Sequence, residues 1–184
     1  MEDAGAGSVA PVLRLLRRRG GRRIDRAQMA KARAAADLVG RAGEELVATY
    51  LEAQVAKRAI ERFVWTANEN AVSPFDFEIT ASAVRLVEVK ATSGVLGRAF
   101  HISMAEIEVA ASAPHYDLYR VSEVDVTAST GVLHIALDIA QYARQVLAAS
   151  KLMPAGPFVD GVSIEPAVFQ QFTRVETITI PVEE

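Results

Sequence analysis

The segment SPFDFEITASAVRLVEVKAT, residues 73–92, constrains the fold more than any other part of the sequence. It predicts two short strands, Pro74–Thr80 and Val84–Ala91, joined by a turn. Because side chains two residues apart in a strand share a face, Glu88 and Lys90 project together from the second strand. Val87 and Val89 pack on the other face, so one side of this sheet is charged and the other is apolar.

Asp76 on the first predicted strand extends this charged pair. If the two strands form a hairpin, Asp76 lies on the same face as Glu88 and Lys90. Mg²⁺ prefers oxygen ligands of this kind, and a lysine beside such an ion can orient a bound water or offset the charge of a phosphate. A Glu-x-Lys pair is also typical of a solvated strand face with a weak ion pair, so the flanking sequence has to decide.

Composition limits the class of protein. The chain has 184 residues, of which 51% are hydrophobic and 23% charged, so we expect one domain with an appendage and a sizeable core. The absence of cysteine excludes disulfides and thiol chemistry. We see neither a run of ~20 apolar residues nor an apolar segment after the first arginines, and we therefore expect no membrane association, no secretory signal and a cytoplasmic location.

The charges are divided unevenly along the chain. Residues 1–41 contain 10 Lys/Arg and 4 Asp/Glu, a net +6, whereas residues 42–184 contain 10 and 19, a net −9. A basic arm of this kind, which we place at residues 1–26 and expect to be disordered, contacts nucleic acid or acts as a solubilising tail. The residues expected to contact phosphates are Arg14, Arg17, Arg18, Arg19, Arg22 and Arg23 in the arm and Arg98 in a later loop.

A helix precedes the strands. Ala27–Asp37 predicts helix, and the segment GEELVATYLEAQVAKRA is either a second helix or a continuation of the first. On a helical wheel, an apolar arc is formed by Leu46, Val47, Tyr50 and Leu51. Glu44 lies at the edge of this arc, where a carboxylate needs a partner or a metal, unless it is simply an acid favoured near a helix N-terminus.

The remaining elements complete a mixed α/β pattern. We predict a strand over Glu61–Ala67, a helix over Ser103–Ala111 opened by the capping-box pair Ser103 and Glu106, a strand over Tyr116–Val121, a hairpin over Asp125–Ala136, a helix over Asp138–Ser150 and a late strand over Arg174–Val182. The order predicts a three-strand meander followed by a helical crossover to a fourth strand, which gives a mixed central sheet flanked by helices. We expect a core at residues 27–124 and a C-terminal extension, residues 125–184, packed on that core.

Five short segments resemble a known family. GRAGEELVATYL, PFDF, VEVKAT, FHISMAEI and YDLYRV, within residues 40–121, resemble the NO VEIN C-terminal domain. The αβββαβ order with its acids is similar to the PD-(D/E)XK nucleases, which have the restriction-endonuclease-like fold, and to their Mrr-like branch. The sequence departs from that pattern in two places. Ser-Pro-Phe-Asp stands where Gly-Tyr-Asp is expected, and Glu106 stands where the second helix usually carries Gln-x-x-x-Tyr.

The resemblance implies a chemistry for these residues. It implies that Asp76 and Glu88, with the Val89 carbonyl, hold Mg²⁺ or Mn²⁺, that Glu44 completes the site, and that Lys90 is the motif lysine. The activity implied is metal-dependent hydrolysis of nucleic acid, most simply DNA, in a restriction or defence context.

Two other interpretations stay open from the sequence. One is an inactive nuclease-fold module that binds DNA or a helicase-like partner. The other is a structural protein whose arm folds only in an oligomer such as a homodimer. The three histidines, His101, His115 and His134, have no ligand spacing, and we expect them to be structural.

Overall fold

The computed structural model describes residues 25–70, 72–154, 156, 158–169 and 172–180. Contacts divide the chain between Ala34 and Ala35, and all the described strands belong to the second unit. The six arm arginines predicted to contact phosphates lie outside the described residues. None of the described helices combines the length and the apolar character that a membrane crossing requires.

The described elements alternate helices with strands. In chain order they are α1 (Arg26–Ala56), β1 (Arg62–Trp65), α2 (Thr66–Glu69), β2 (Phe77–Thr80), β3 (Val84–Ala91), β4 (Phe100–Ser103), α3 (Met104–Ser112), β5 (Tyr116–Asp125), β6 (Thr130–Ala136), α4 (Ala140–Ser150), β7 (Gly161–Ile164), a 3₁₀ turn (Pro166–Val168) and β8 (Thr173–Thr179). The predicted mixed α/β class is confirmed.

Six strands form one mixed sheet in the order β1-β2-β3-β5-β6-β8. β1, β2 and β3 are an antiparallel meander, and the chain then passes through α3 to β5, which pairs with β3 in parallel. This is the predicted meander and helical crossover. β4 pairs with β7 in a separate two-stranded sheet, which the sequence did not predict.

Each face of the main sheet supports its own apolar core. Because side chains alternate along a strand, β3 turns Val87 and Val89 towards α1 and Leu86 towards the opposite core. The first core is completed by Leu46, Val47 and Leu51 of α1, and the second by residues of α3 and α4 such as Ile107 and Ala143. Each fully buried valine, leucine or isoleucine side chain stabilises the fold by about 1.5–3 kcal/mol.

Gly43 lets α1 lie directly on the end of β3. A Cβ atom at this position would overlap the Cβ atom of Ala91, so only glycine permits this approach. On β6, a Cβ atom on Gly131 would lie 2.7 Å from Val121 Cγ1 of β5 and 3.1 Å from Leu46 Cδ1 of α1. The close approach at Gly43 brings the next residue of the helix, Glu44, beside the carboxyl end of β3.

Two predicted boundaries were wrong near the site. The first strand of the hairpin begins at Phe77 rather than at Pro74, because the Ser73 hydroxyl donates to the Phe75 carbonyl, 2.7 Å, in a turn before the strand. The strand predicted over Glu61–Ala67 ends at Trp65, and a short helix, α2, follows it. By contrast, Val84–Ala91 is confirmed as predicted.

The helical and C-terminal predictions differ from the structure mainly in length. α1 is one continuous helix, so the second of its two predicted helices is a continuation of the first. β5 extends to Asp125, and β6 and β8 continue the same sheet, in which β3 and β5 are central strands. The late strand is Thr173–Thr179 rather than Arg174–Val182. The proposed division at residue 124 stays a prediction.

Candidate functional site

Asp76 is held at the point where β2 begins. The register pairs Phe77 with Val87, so Asp76 lies opposite Glu88, and its amide donates to the Val87 carbonyl, 2.9 Å. One carboxylate oxygen of Asp76 accepts a hydrogen bond from the Val89 amide, 2.7 Å. Since β2 has no residue paired with Val89, this bond fixes the carboxylate at the open edge of β3.

The Val89 carbonyl faces the same edge. In a strand, the N–H and C=O groups of one residue point to the same side, and the Val89 N–H points to Asp76. The carbonyl oxygen of Val89 is therefore directed to the side of β3 that carries the Asp76 carboxylate. The role of this carbonyl as a metal ligand stays a prediction.

Glu88 and Lys90 lie on the opposite face of β3 from its core valines, towards α3. Glu88 is 4% exposed, and the Lys90 ammonium donates to its Oε1 and also to Glu106 Oε1, 3.2 Å. Glu106 Oε2 accepts from the Ser103 amide, 2.8 Å, and Ser103 Oγ accepts from the Glu106 amide, 3.2 Å. The predicted capping box is confirmed, and it also anchors the lysine to the start of α3.

Tyr116 is a neighbour of this cluster that the sequence analysis missed. Its hydroxyl donates to the Pro74 carbonyl, 2.8 Å, and so ties β5 to the turn before Asp76. Burial raises the pKa of Tyr116, and the charges of Glu88, Glu106 and Asp76 raise it further. The alternation in YDLYRV indicates which face Tyr116 occupies, but only the β3–β5 register brings it beside the acids.

Glu44 reaches the cluster from α1. Its Oε2 accepts a hydrogen bond from the Trp65 indole Nε1, 3.2 Å, and Trp65 in turn stacks on Phe77 with ring centroids 5.4 Å apart. Burial raises the pKa of Glu44, and the negative charge of Asp76 raises it further. The predicted helical acid therefore interacts electrostatically with Asp76, and Trp65 is a second contact that the sequence analysis missed.

The acid cluster, which consists of Glu44, Asp76, Glu88 and Glu106 with Lys90, carries more negative than positive charge. Burial raises the pKa of Asp76, although the Val89 hydrogen bond and Lys90 oppose this shift. Burial raises the pKa of Glu88 well above its ordinary value, with Lys90 opposing and Asp76 and Glu106 reinforcing the shift. Burial disfavours the Lys90 ammonium, but the two carboxylates it contacts outweigh this and raise its pKa. An acid cluster with an excess of negative charge is stabilised when it binds protons or a cation.

The chemistry of these donors fits a hard divalent ion. Asp76, Glu88 and Glu44 offer carboxylate oxygens, and Val89 adds a carbonyl, which are the ligands that Mg²⁺ and Mn²⁺ prefer. Within the part of the chain that the structure describes, no three histidine, aspartate or glutamate side chains are already grouped to hold an ion. An ion would compete with Lys90 for the Glu88 carboxylate, since that contact is now made by the ammonium.

The other predicted residues lie elsewhere. Arg98 is exposed in the loop that follows β3. His115 Nδ1 lies 2.9 Å from Asp138 Oδ1, and His134 Nε2 lies 3.3 Å from Ser122 Oγ.

Comparison with known proteins identifies the family but no individual relative. The family model described as Protein NO VEIN, C-terminal matches residues 43–135, a segment that begins at the close-packed Gly43 and contains Glu44, Asp76, Glu88 and Lys90. Neither the curated proteins nor the solved structures contain a significant match. Because the matched segment covers half of the chain, this protein belongs to the Protein NO VEIN C-terminal family.

Proposed function

We propose that this domain is a metal-dependent nuclease that hydrolyses phosphodiester bonds of DNA on a restriction-endonuclease-like, PD-(D/E)XK core. One observation carries the proposal: Asp76 at the start of β2 lies opposite Glu88 of β3, whose carboxylate contacts Lys90. Glu44 reaches the same region from α1, where burial and the charge of Asp76 raise its pKa. The meander and parallel crossover that position them have the order expected of such a core.

The acids would hold Mg²⁺ or Mn²⁺. Asp76 and Glu88, with the Val89 carbonyl, are the proposed ligands, and Glu44 would bind directly or through water. A bound ion would supply Lewis-acid stabilisation of a phosphate oxygen and lower the pKa of a bound water. Trp65 restrains the Glu44 carboxylate by donating to one of its oxygens and leaves the other oxygen for an ion.

Lys90 would act as a charged group rather than as a base. Because Glu88 and Glu106 raise its pKa, the ammonium keeps its proton at neutral pH while those contacts last. It can therefore position the attacking water by donating a hydrogen bond and offset the negative charge that develops on the phosphate. If Glu88 turns to a metal ion, Glu106 still holds the lysine from the capped start of α3.

Nucleic acid is the proposed substrate because the basic residues fit a polyanion. Residues 42–184 carry a net charge of −9, so most phosphate contacts are proposed to come from the arm arginines, with Arg98 as a contact from the acidic part of the chain. A helicase-like protein is the proposed partner, by analogy with the helicases that accompany such domains.

The test is a cleavage assay on plasmid DNA, linear duplex and RNA with Mg²⁺, Mn²⁺ or EDTA. We expect metal-dependent cleavage by the wild type and a loss of about 10²-fold or more in Asp76→Ala and Lys90→Ala. Glu45→Ala is the matched control, because Glu45 adjoins Glu44 on α1 but forms an ion pair with Arg41 at 3.0 Å instead. Equal, metal-independent background in all four proteins would contradict the proposal.

That contradicting result would favour a second candidate, an inactive nuclease-fold module that binds DNA or a helicase-like partner. One observation supports this alternative: Lys90 neutralises Glu88, and the described acids are not already grouped for a metal. In such a module the same ion pair would have only a structural role.

A further inference from the structure

Within the described part of the chain, Arg120 on β5 is a buried cation without an acidic partner. Its side chain is 1% exposed, and no described residue forms a hydrogen bond with its Nε atom. Its Nη2 donates to the Arg98 carbonyl, 3.1 Å, and its guanidinium carbon lies 5.1 Å from the centre of the Phe100 ring. Among the side chains that the structure describes, no carboxylate forms an ion pair with Arg120.

A buried charge in this state needs an explanation. Burial lowers the pKa of Arg120 to about 10, and the nearby positive charge of Arg98 contributes, but a guanidinium with this pKa is still charged at neutral pH. Buried charges are ordinarily paired, because desolvating an unpaired ion costs free energy. A neutral carbonyl and an aromatic ring compensate this cost only in part. An anion that accepts a hydrogen bond from the Nε atom would supply the missing partner of the Arg120 guanidinium.

The position of Arg120 links it to the acid cluster. In the parallel pairing of β3 and β5, Arg120 is the register partner of Lys90, so the two side chains lie on the same face of the sheet. The loop of residues 92–99 follows β3 at this end. Its Thr92 amide donates to the Val121 carbonyl, 2.9 Å, and the Glu123 amide donates to the Gly94 carbonyl, 2.8 Å. The loop is thereby fastened to β5 at Val121 and Glu123, directly after Arg120.

Arg98 supplies a second cation from the surface. It is exposed in this loop, and its backbone carbonyl is the group that contacts Arg120. Its side chain folds over Gly94, where a Cβ atom would lie 3.7 Å from Arg98 Cδ. Cationic side chains therefore follow one another from the acid cluster to the surface loop, in the order Lys90, Arg120 and Arg98.

We propose that Arg98 and Arg120 form a phosphate-binding site that takes a backbone phosphate next to the phosphodiester held at the acid cluster. The choice of nucleic acid as the source of this phosphate rests on the proposed function. The guanidinium fork of Arg120 matches two phosphate oxygens, and Nε is one of its donors. The anion enters as the Arg98 carbonyl gives up its contact with Nη2, while the Arg98 side chain closes over it.

The test measures affinity for a short labelled DNA duplex in EDTA, where no cleavage occurs, over a series of salt concentrations. We expect Arg98→Gln and Arg120→Met each to raise Kd roughly tenfold and to lower the slope of log K against log salt by about 1. Because both residues bind one phosphate, the double variant should lose less than the product of the two single losses. Arg62→Gln, on β1 at the far edge of the sheet, is the charge-matched control and should bind like the wild type.

Thermal unfolding separates binding from folding. Replacing an unpaired buried charge by an apolar side chain of similar size should keep or raise the unfolding temperature of Arg120→Met. A marked fall in that temperature, together with wild-type duplex affinity of the exposed Arg98→Gln variant, would overturn the site. Binding of inorganic phosphate by the wild type without any change of duplex affinity in the variants would overturn its assignment to nucleic acid.

The outcome is independent of the nuclease assay. If cleavage fails but both variants lose duplex affinity, the phosphate site stands as part of a DNA-binding surface. If metal-dependent cleavage is found and both variants bind duplex like the wild type, the phosphate site is wrong and the proposed function stands.

Discussion

At the scale of single residues, Lys90 decides what the acid cluster can do. Its ammonium contacts both Glu88 and Glu106. Its positive charge also opposes the rise in pKa that burial causes at Asp76 and Glu88. One ammonium does not balance the carboxylates around it, so the cluster keeps an excess of negative charge. That excess is the physical reason for expecting protons at low pH and a divalent ion at neutral pH.

The raised pKa of Glu88 predicts how stability varies with pH. In the folded state Glu88 holds its proton to higher pH than an unfolded glutamate does, so the unfolded chain binds fewer protons above the unfolded pKa. The contribution of Glu88 to the free energy of unfolding is therefore largest at low pH and is lost as pH rises through the folded pKa. In EDTA, wild type should lose stability relative to Glu88→Gln between acidic and neutral pH in urea titrations. A wild type that gains on the variant with rising pH would contradict this.

Glu106→Gln tests the role of the second carboxylate at Lys90. A glutamine oxygen can still accept the Ser103 amide, so the capping box and the stability should survive. The lost negative charge lowers the pKa of Lys90, because Glu106 is one of the two groups that raise it. We expect the alkaline limb of the pH–rate profile of cleavage to move to lower pH. Glu108→Gln, an exposed position on the same helix, should leave the profile unchanged, and an equal shift in both variants would contradict a positioning role for Glu106.

At the scale of elements, the contact between α1 and β3 sets the geometry of the site. Glu44 and Asp76 can interact only because Gly43 allows the helix to approach Ala91 without an intervening Cβ atom. Gly131 of β6 likewise lacks a Cβ atom where Leu46 of α1 and Val121 pack against it. The spacing of the two layers is therefore determined by two residues without side chains.

Two glycines of the same helix predict opposite effects of alanine. Gly43→Ala should destabilise the domain by about 1–3 kcal/mol, since overlap with Ala91 outweighs the gain in helix propensity. Gly40→Ala should stabilise it by up to about 1 kcal/mol, since no atom lies within 4 Å of the added Cβ. Chemical denaturation of both variants measures the difference. Equal effects of the two substitutions would show that the packing at Gly43 is not the constraint inferred here.

The limits of the sequence also appear at this scale. β3 could be placed to the residue, because VRLVEVKA alternates between two buried faces, and the α3 cap follows from Ser103 and Glu106. The start of β2 could not, because the local turn at Ser73 competes with the strand pattern of the next residues. Tyr116 and Arg120 could not be assigned to the site, because only the register between β3 and β5, a pairing of distant segments, puts them beside Glu88 and Lys90.

At the scale of the whole molecule, the basic residues proposed to bind the substrate are distinct from the acidic residues proposed to hold the ion. Residues 42–184 are acidic, so the proposed substrate is attracted by residues outside the acid cluster, and the cluster itself needs a cation before a phosphate can approach it. The sequence alone predicted the mixed sheet and the helical crossover, whereas the four site residues stay a prediction. The nuclease assignment of that cluster is the proposal that experiment has to decide.

Calorimetric titration of Mn²⁺ into the full chain at neutral pH, without nucleic acid, tests the central claim most directly. We expect the proposed ligands to bind the ion, with affinity falling about 10-fold or more in Asp76→Asn, which keeps the shape of the ligand but removes its charge. Glu45→Gln should bind Mn²⁺ like the wild type, because Glu45 is paired with Arg41 on the surface. Wild-type chain that takes up no Mn²⁺, or an Asp76→Asn variant that binds it equally well, would contradict the account.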